Sequence, residues 1–207
     1  MARTETSQFD PTQPVTLGRT GVRVTRLALG TNPIGSLRLP VSDEEAAAVV
    51  RTAWDAGTRF FDVAPLYGFG SVERVVGEVL RDQPRDAFVL STKVGRLLRA
   101  SGSPEREDRT ILYRGQQRYK VPPTERPFFD YSYDGVMRSV DESRERCGVE
   151  RFELLFIHDP EEFMEEAADG AYRALDELRS TGQVDGIGIG ANLSSTHLRL
   201  LERGDYD

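Results

Sequence analysis

Residues 153–159, ELLFIHD, form a short apolar run that ends on two ionisable side chains, His158 and Asp159. A run of this length reads as a buried strand. A strand that delivers polar groups at its C-terminal end is the pattern of a parallel β/α barrel, whose chemistry is built on that rim. Two runs upstream do the same: RFFD (59–62) ends at Asp62 and FVLSTK (88–93) ends at Lys93. RLALG (26–30) leads into Thr31, and DGIGIG (185–190) leads into Ala191 and Asn192. Strand ends therefore fall near 31, 62, 93, 158 and 190, mostly spaced by roughly 31 residues, the length of one strand, loop and crossover helix. The wider gap from Lys93 to His158 is one such unit plus a long inserted loop. The expected fold is α/β, of the (β/α)8 TIM-barrel type, with about five β/α units present.

The helices between these strand ends are signposted. Ser42 with Glu45 predicts a capping box ahead of Ala46–Trp54, and Gly57 a C-terminal stop. Ser71 is expected to cap VERVVGEVLR, and Asp134 to open GVMRSVDESRERC before Gly148 closes it. Tyr172, Leu175 and Leu178 mark a helix ended by Gly182, and Ser194–Thr196 start the last one. VTLGRTGVRVT (15–25) predicts a hairpin turning at Gly18–Gly21, ahead of the first barrel strand.

With 207 residues, 38% hydrophobic and 29% charged, the chain has the composition of a soluble globular protein with one sizeable core, read as a single domain over 1–207. A net charge of -7 argues against a nucleic-acid partner. No apolar run approaches a membrane span, and the opening residues MARTETSQFDPTQP carry no apolar core, so neither a membrane association nor a signal peptide is expected. The single cysteine, Cys147, is expected in the core and fits a reducing cytoplasm. Two separated histidines, His158 and His197, supply no metal site.

Residues 96–133 break the pattern. The segment has neither helical nor strand periodicity and mixes arginines with Tyr113, Tyr119, Phe128, Phe129, Tyr131 and Tyr133. It reads as a long loop beside the third strand end, either a wall of the substrate pocket or a solvated insertion. Its arginines read as solvation.

Asp62, Lys93 and His158 at successive strand ends, with Tyr67 in the loop APLYGFG, suit proton transfer to a carbonyl oxygen during hydride transfer. A tyrosine hydroxyl titrates near 10, too high for a shuttle at neutral pH. The Lys93 ammonium is expected to favour the phenolate, Asp62 to hold that lysine, and His158 to orient the substrate oxygen.

The segments LGRTGVRVTRLALGTNPIG, AWDAGTRFFDVAPLYGFGSVERVVGEVL, VLSTKVGR, ELLFIHDPEE and LRSTGQVDGIGIGAN, in that order, resemble the aldo-keto reductases. Within that family FDYSYDGVMRSVDESRERCG and the IHDP run are most similar to the branch of D-threo-aldose (L-fucose) and pyridoxal dehydrogenases. The resemblance implies a catalytic tetrad of Asp62, Tyr67, Lys93 and His158 and NAD or NADP as cofactor. It also implies that Gly30, Thr31, Asn32, Asp62 and Asn192 lie along the cofactor. An aldehyde, alcohol or aldose-type substrate follows. Ala191 stands where many members have a serine, which removes one hydroxyl contact.

The family's seventh and eighth strands, whose loops grip the pyrophosphate and adenosine, have no counterpart here. The chain is therefore expected to be a piece of a longer enzyme, with unpaired sheet edges open to self-association. The other reading is a nucleotide-binding regulatory subunit of weak activity. Gly186, Gly188 and Ala191 satisfy G-x-G-x-x-A, but they lie inside a strand, so no Rossmann site is expected.

Overall fold

A computed structural model describes residues 9–100, 112–113, 116–120 and 125–207. The first strands, β1 (Pro14–Thr16) and β2 (Arg23–Thr25), pair antiparallel, with the turn through Gly18 and Gly21 that the sequence predicts. Then β3 (Leu29–Gly30), β4 (Phe60–Asp62), β5 (Val89–Val94), β10 (Leu154–His158) and β11 (Gly186–Gly190) form one five-stranded parallel sheet in the order β11-β10-β5-β4-β3. Helices α1 (Asp43–Asp55), α2 (Ser71–Leu80), α3 (Tyr133–Cys147), α5 (Tyr172–Ser180) and α6 (Ser194–Leu201) follow β3, β4, β5, β10 and β11. This is the consecutive β/α wrapping of the expected barrel. The short α4 (Met164–Glu166) runs through a π-turn at Ala167–Ala171 into α5.

Every residue of β5 is buried, as a parallel strand covered on both faces requires. Register decides which side chains share a face. Asp62 pairs with Ser91, Phe156 with Lys93 and His158 with Gly190, so Asp62, Lys93 and His158 project to the same side of the sheet. The opposite side meets the helices: Thr92 donates from its hydroxyl to Glu73 on α2 at 2.8 Å, and Glu73 is fully buried and pairs with Arg146 of α3 at 2.6 Å. The GIGIG run keeps its sheet position because a Cβ on Gly188 would lie 2.7 Å from the Phe156 ring. Cys147 is buried in the main core, as expected.

Val22 and Val24 of the hairpin pack with Val89 and Leu154, the first residues of their strands. The hairpin thus plugs the N-terminal end of the sheet and leaves the other end for chemistry.

Local signals mostly act where they were read. Ser42 and Glu45 make both halves of the capping box. Two assignments shift. Gly70, in the left-handed conformation at φ 81, occupies the cap of α2, and Ser71 is its first helical residue. Ser132 caps α3, accepting from the Gly135 amide at 3.1 Å, so Asp134 lies inside the first turn.

The segment 96–133 departs further from expectation. Its ends form an antiparallel ladder, β6 (Arg96–Ala100) with β9 (Glu125–Phe129), in register from Arg96↔Phe129 to Ala100↔Glu125. A second short pair joins β7 (Leu112–Tyr113) and β8 (Gln116–Gln117). The sequence hid β6 because Arg96, Leu97 and Leu98 are all buried, which erases alternation. Pro127 hid β9, since proline within a run argues for an edge strand or none. Residues 101–111, 114–115 and 121–124 of this segment lie outside the described residues.

Candidate active site

At the C-terminal ends of the strands a cavity of about 290 Å³ is lined by Asn32, Tyr67, Lys93, Tyr119, His158 and Asn192, among others. Lys93 comes from β5 and is 8% exposed. Its ammonium donates to Asp62 Oδ2 at 2.6 Å and to the Val63 carbonyl at 3.0 Å. The second Asp62 oxygen accepts from the Ser91 hydroxyl at 2.6 Å, so both carboxylate oxygens are committed. Asp62 does not itself line the cavity; it acts on the cavity through Lys93.

Tyr67 sits in the short 3-10 turn Tyr67–Gly70, with its ring 4.8 Å from the Lys93 ammonium and edge-on to His158 at 5.8 Å between centroids. Burial raises its pKa above the usual phenol range, and the charges of Asp62 and Asp159 raise it further. The phenolate that Lys93 was expected to favour is therefore not the resting form. The lysine charge is neutralised by Asp62 at contact distance, so desolvation prevails and the phenol holds its proton.

The His158 imidazole is buried, and desolvation pulls its pKa well below 6.5, aided by the charges of Arg96 and Lys93. It rests neutral. Among the described residues its Nδ1 is buried without a hydrogen-bond partner, and its Nε2 lies 3.6 Å from Asp159 Oδ2.

The residues expected along a cofactor divide into two groups. Asn32 and Asn192 line the cavity together with Gly190 and Ala191. Asn192 donates from Nδ2 to Asp159 Oδ1 at 2.9 Å, which fixes its amide orientation. A Cβ on Gly190 would project to 3.8 Å from Lys93 Cε, so the glycine keeps the floor above the lysine flat. Thr31 is fully buried, and both its amide and its hydroxyl donate to the Asp62 carbonyl, at 3.2 and 2.6 Å. It braces β4, and neither Thr31 nor Gly30 borders the cavity.

Four further residues at the site had no individual role assigned from the sequence, although Asp159 ends the ELLFIHD run and Tyr119 and Tyr131 lie in the segment read as a possible pocket wall. Arg96 is 2% exposed; it donates to the His158 carbonyl at 2.9 Å and reaches Asp159 Oδ2 at 3.4 Å. Tyr131 donates from its hydroxyl to the carbonyls of His158, at 2.6 Å, and Asp159, at 3.0 Å. Asp159 has φ 45, a left-handed conformation uncommon outside glycine, and links β10 to β11 through its amide, which donates to the Gly190 carbonyl at 2.7 Å. Tyr119 is buried, donates to Asn32 Oδ1 at 2.7 Å, and with Arg118 forms a wall of the cavity. The signal for Arg96 was an arginine heading the apolar RLL, three residues past Lys93; its buried surroundings come from β9 and α3, far along the chain.

A profile of the Aldo/keto reductase family matches residues 26–206. The chain is 42% identical to pyridoxal 4-dehydrogenase of Microbacterium luteolum, over 92% of this chain and 59% of that protein. It is 40% identical to D-threo-aldose 1-dehydrogenase of a Pseudomonas species, over 90% of this chain and 56% of that protein. It therefore spans less than two thirds of the length of these relatives. Among solved structures, an aldo-keto reductase from Pseudomonas aeruginosa superposes with a TM-score of 0.68 at 30% identity, covering 93% of this chain and 64% of that one. The holo form of an aldo-keto reductase from Bacillus halodurans superposes at 0.70 with 22% identity, over 94% of this chain and 55% of that one, and speaks for the fold. With the parallel sheet, its strand-end cavity and this profile in agreement, the chain belongs to the aldo/keto reductase family.

Proposed function

We propose that this chain carries the catalytic half of an NAD(P)-dependent oxidoreductase acting on an aldehyde, alcohol or aldose-type carbonyl, with Tyr67 as proton donor and acceptor. The observation that carries this reading is the convergence of Tyr67, the Asp62-paired Lys93 and a neutral His158 on one cavity. The residues present suit the nicotinamide end of such a cofactor: a flat floor at Gly190 and two amide side chains, Asn32 and Asn192, on the cavity wall. When bound, the cofactor exchanges hydride with the carbonyl carbon.

Each residue then has a distinct task. Tyr67, held protonated by burial, donates its proton to the carbonyl oxygen, so the resting site is set for reduction. The Lys93 ammonium, 4.8 Å from the ring centroid, stabilises the phenolate left behind. Asp62 holds that ammonium in place at 2.6 Å. His158 donates one N–H to the carbonyl oxygen and, being neutral, does not compete as the acid. In alcohol oxidation the same groups act in reverse, with Tyr67 accepting the proton.

The test is turnover of nicotinamide cofactor by the protein with pyridoxal and with aldoses, followed by absorbance, beside the Tyr67→Phe variant. The variant should lose about 10²–10⁴-fold in turnover while quenching cofactor fluorescence as the parent does. Equal turnover in the variant would sink the Tyr67 assignment. Cofactor binding with no turnover in either protein would favour the regulatory nucleotide-binding reading.

A further inference from the structure

Arg96 is the largest fully buried side chain among the described residues, and packing does not explain it. It heads β6 beside the buried Leu97 and Leu98, where an apolar residue would fill the space without desolvating a guanidinium. Its contacts point elsewhere. The guanidinium donates to the His158 carbonyl at 2.9 Å, approaches Asp159 Oδ2 at 3.4 Å, and lies over the Phe129 ring at 4.9 Å. Asp159 passes the constraint on: its other carboxylate oxygen accepts from Asn192 Nδ2 at 2.9 Å, and its amide donates to the Gly190 carbonyl at 2.7 Å. The left-handed φ of 45 at Asp159 is a conformation that surrounding bonds must hold.

We propose that Arg96 is a positioning residue that fixes the His158–Asp159 turn and, through Asp159, the side-chain amide of Asn192, so that one guanidinium aligns both flanks of the cavity. The functional meaning rests on the reductase reading above; the alignment does not.

A planar fork reaching a carbonyl and a carboxylate together is a task for arginine, since lysine offers a single point charge. Tyr131 buttresses the same turn from β9's side by donating to the His158 carbonyl at 2.6 Å, so the backbone survives loss of one support better than the Asp159 carboxylate does. Around the imidazole, Arg96 faces it from β6, Lys93 from β5 and Asp159 from its own loop, while Asp62 on β4 pairs with Lys93 and Tyr67 presents a protonated ring edge. Removing Arg96 takes away a cation that disfavours the imidazolium, while Asp159, 3.6 Å from Nε2, favours it.

Histidine-selective NMR on the whole chain reads this directly, because His158 and His197 are the only two histidines. In the parent, the His158 resonance should stay fixed across about pH 5 to 8, the window in which an ordinary histidine titrates. In Arg96→Met its titration should move up toward that window, because one of the two cations that disfavour the imidazolium is gone while burial remains, and the Asn192 side-chain amide signals should shift. Arg96→Lys should keep His158 from titrating, because the charge remains, but should still shift the Asn192 signals, because the fork is lost. Asp159→Asn, isosteric, should reduce that upward movement in the Arg96→Met background. If Arg96→Met fails to fold, the Arg96→Lys and Asp159→Asn single variants read the Asn192 signals alone.

A folded Arg96→Met or Arg96→Lys protein with unchanged Asn192 signals would overturn the proposal. Where the parent turns over, kcat should fall about 10²-fold in Arg96→Lys with little change in KM. A parent without turnover overturns the reductase reading and leaves the NMR result standing.

Discussion

Two buried cations, Lys93 and Arg96, stand three residues apart and each meets a carboxylate, yet they belong to different parts of the molecule. Lys93 is the penultimate residue of β5 and pairs with Asp62 on the neighbouring strand at 2.6 Å, inside the regular parallel ladder. Arg96 begins β6 in an antiparallel ladder off the sheet and reaches the turn after β10, meeting Asp159 at 3.4 Å. The first pair is a consequence of strand repetition. The second depends on how an insertion folds back over the rim. Between them Gly95, at φ 101, makes the bend that lets one chain segment serve both.

Breaking the bend should have the largest effect. A Cβ on Gly95 would lie 2.1 Å from the Tyr131 ring, at a φ that other residues avoid. Gly95→Ala is expected to cost about 3–5 kcal/mol, from overpacking and backbone strain together. Urea unfolding measures it, and a loss under about 1 kcal/mol would mean that Tyr131 moves aside freely.

Next is Lys93→Met, which leaves the Asp62 carboxylate with only Ser91 among the described residues. Asp62 is partly open to solvent, which keeps the loss to about 2–3 kcal/mol, below that for a fully buried broken pair. In thermal unfolding this variant should be less stable than Arg96→Met, whose removed guanidinium was buried at a desolvation cost and whose partner Asp159 keeps Asn192. The reverse order would show that the insertion, not the sheet, carries the stronger pair.

The third effect is on pH. His158 is neutral when folded, with its pKa well below 6.5, whereas the unfolded chain takes up a proton near 6.5. Its contribution to stability is therefore full above 6.5 and is lost as pH falls below it, at up to about 1.4 kcal/mol per pH unit, until the depressed folded pKa is reached. His158→Gln should flatten this part of the stability profile. An unchanged slope would place its origin in the carboxylates.

The smallest effect concerns the wall of the cavity. Tyr119→Phe removes the hydroxyl that bonds Asn32 Oδ1 at 2.7 Å and should cost about 0.5–1.5 kcal/mol in urea unfolding. A neutral result would mean that the ring packed at a tilt against Phe69, 5.3 Å between centroids, holds the segment without the hydrogen bond.

The difference between the two regions is also a difference in what could be read. Asp62, Lys93 and His158 were legible because each ends an apolar run, and parallel strands wound in sequence bring their ends to one rim. The phenolate that Lys93 was expected to favour at Tyr67 is not the resting form. The sequence places a lysine nearby, but whether that lysine acts as a free cation or half of an ion pair depends on Asp62 lying 2.6 Å away rather than a few ångströms further. Thr31 was read as facing a cofactor, but its hydroxyl is turned onto the Asp62 carbonyl.

By itself the sequence determined the order of strands and helices, the rim on which chemistry is built, and the family. The strand order and the rim follow from periodicity, caps and spacing, which act over a few residues to one β/α unit, and the family from the resemblance of its motifs. Only the tertiary structure decided that residues 96–100 are a buried strand, that Arg96 serves the turn after β10, and that Tyr67 and His158 both rest neutral. Those outcomes depend on burial and on charges brought together from β4, β5, β6 and the loop after β10. Desolvation and Coulomb energies are set by distances of a few ångströms between residues up to about 60 positions apart, as between Arg96 and His158, and no local pattern encodes such distances.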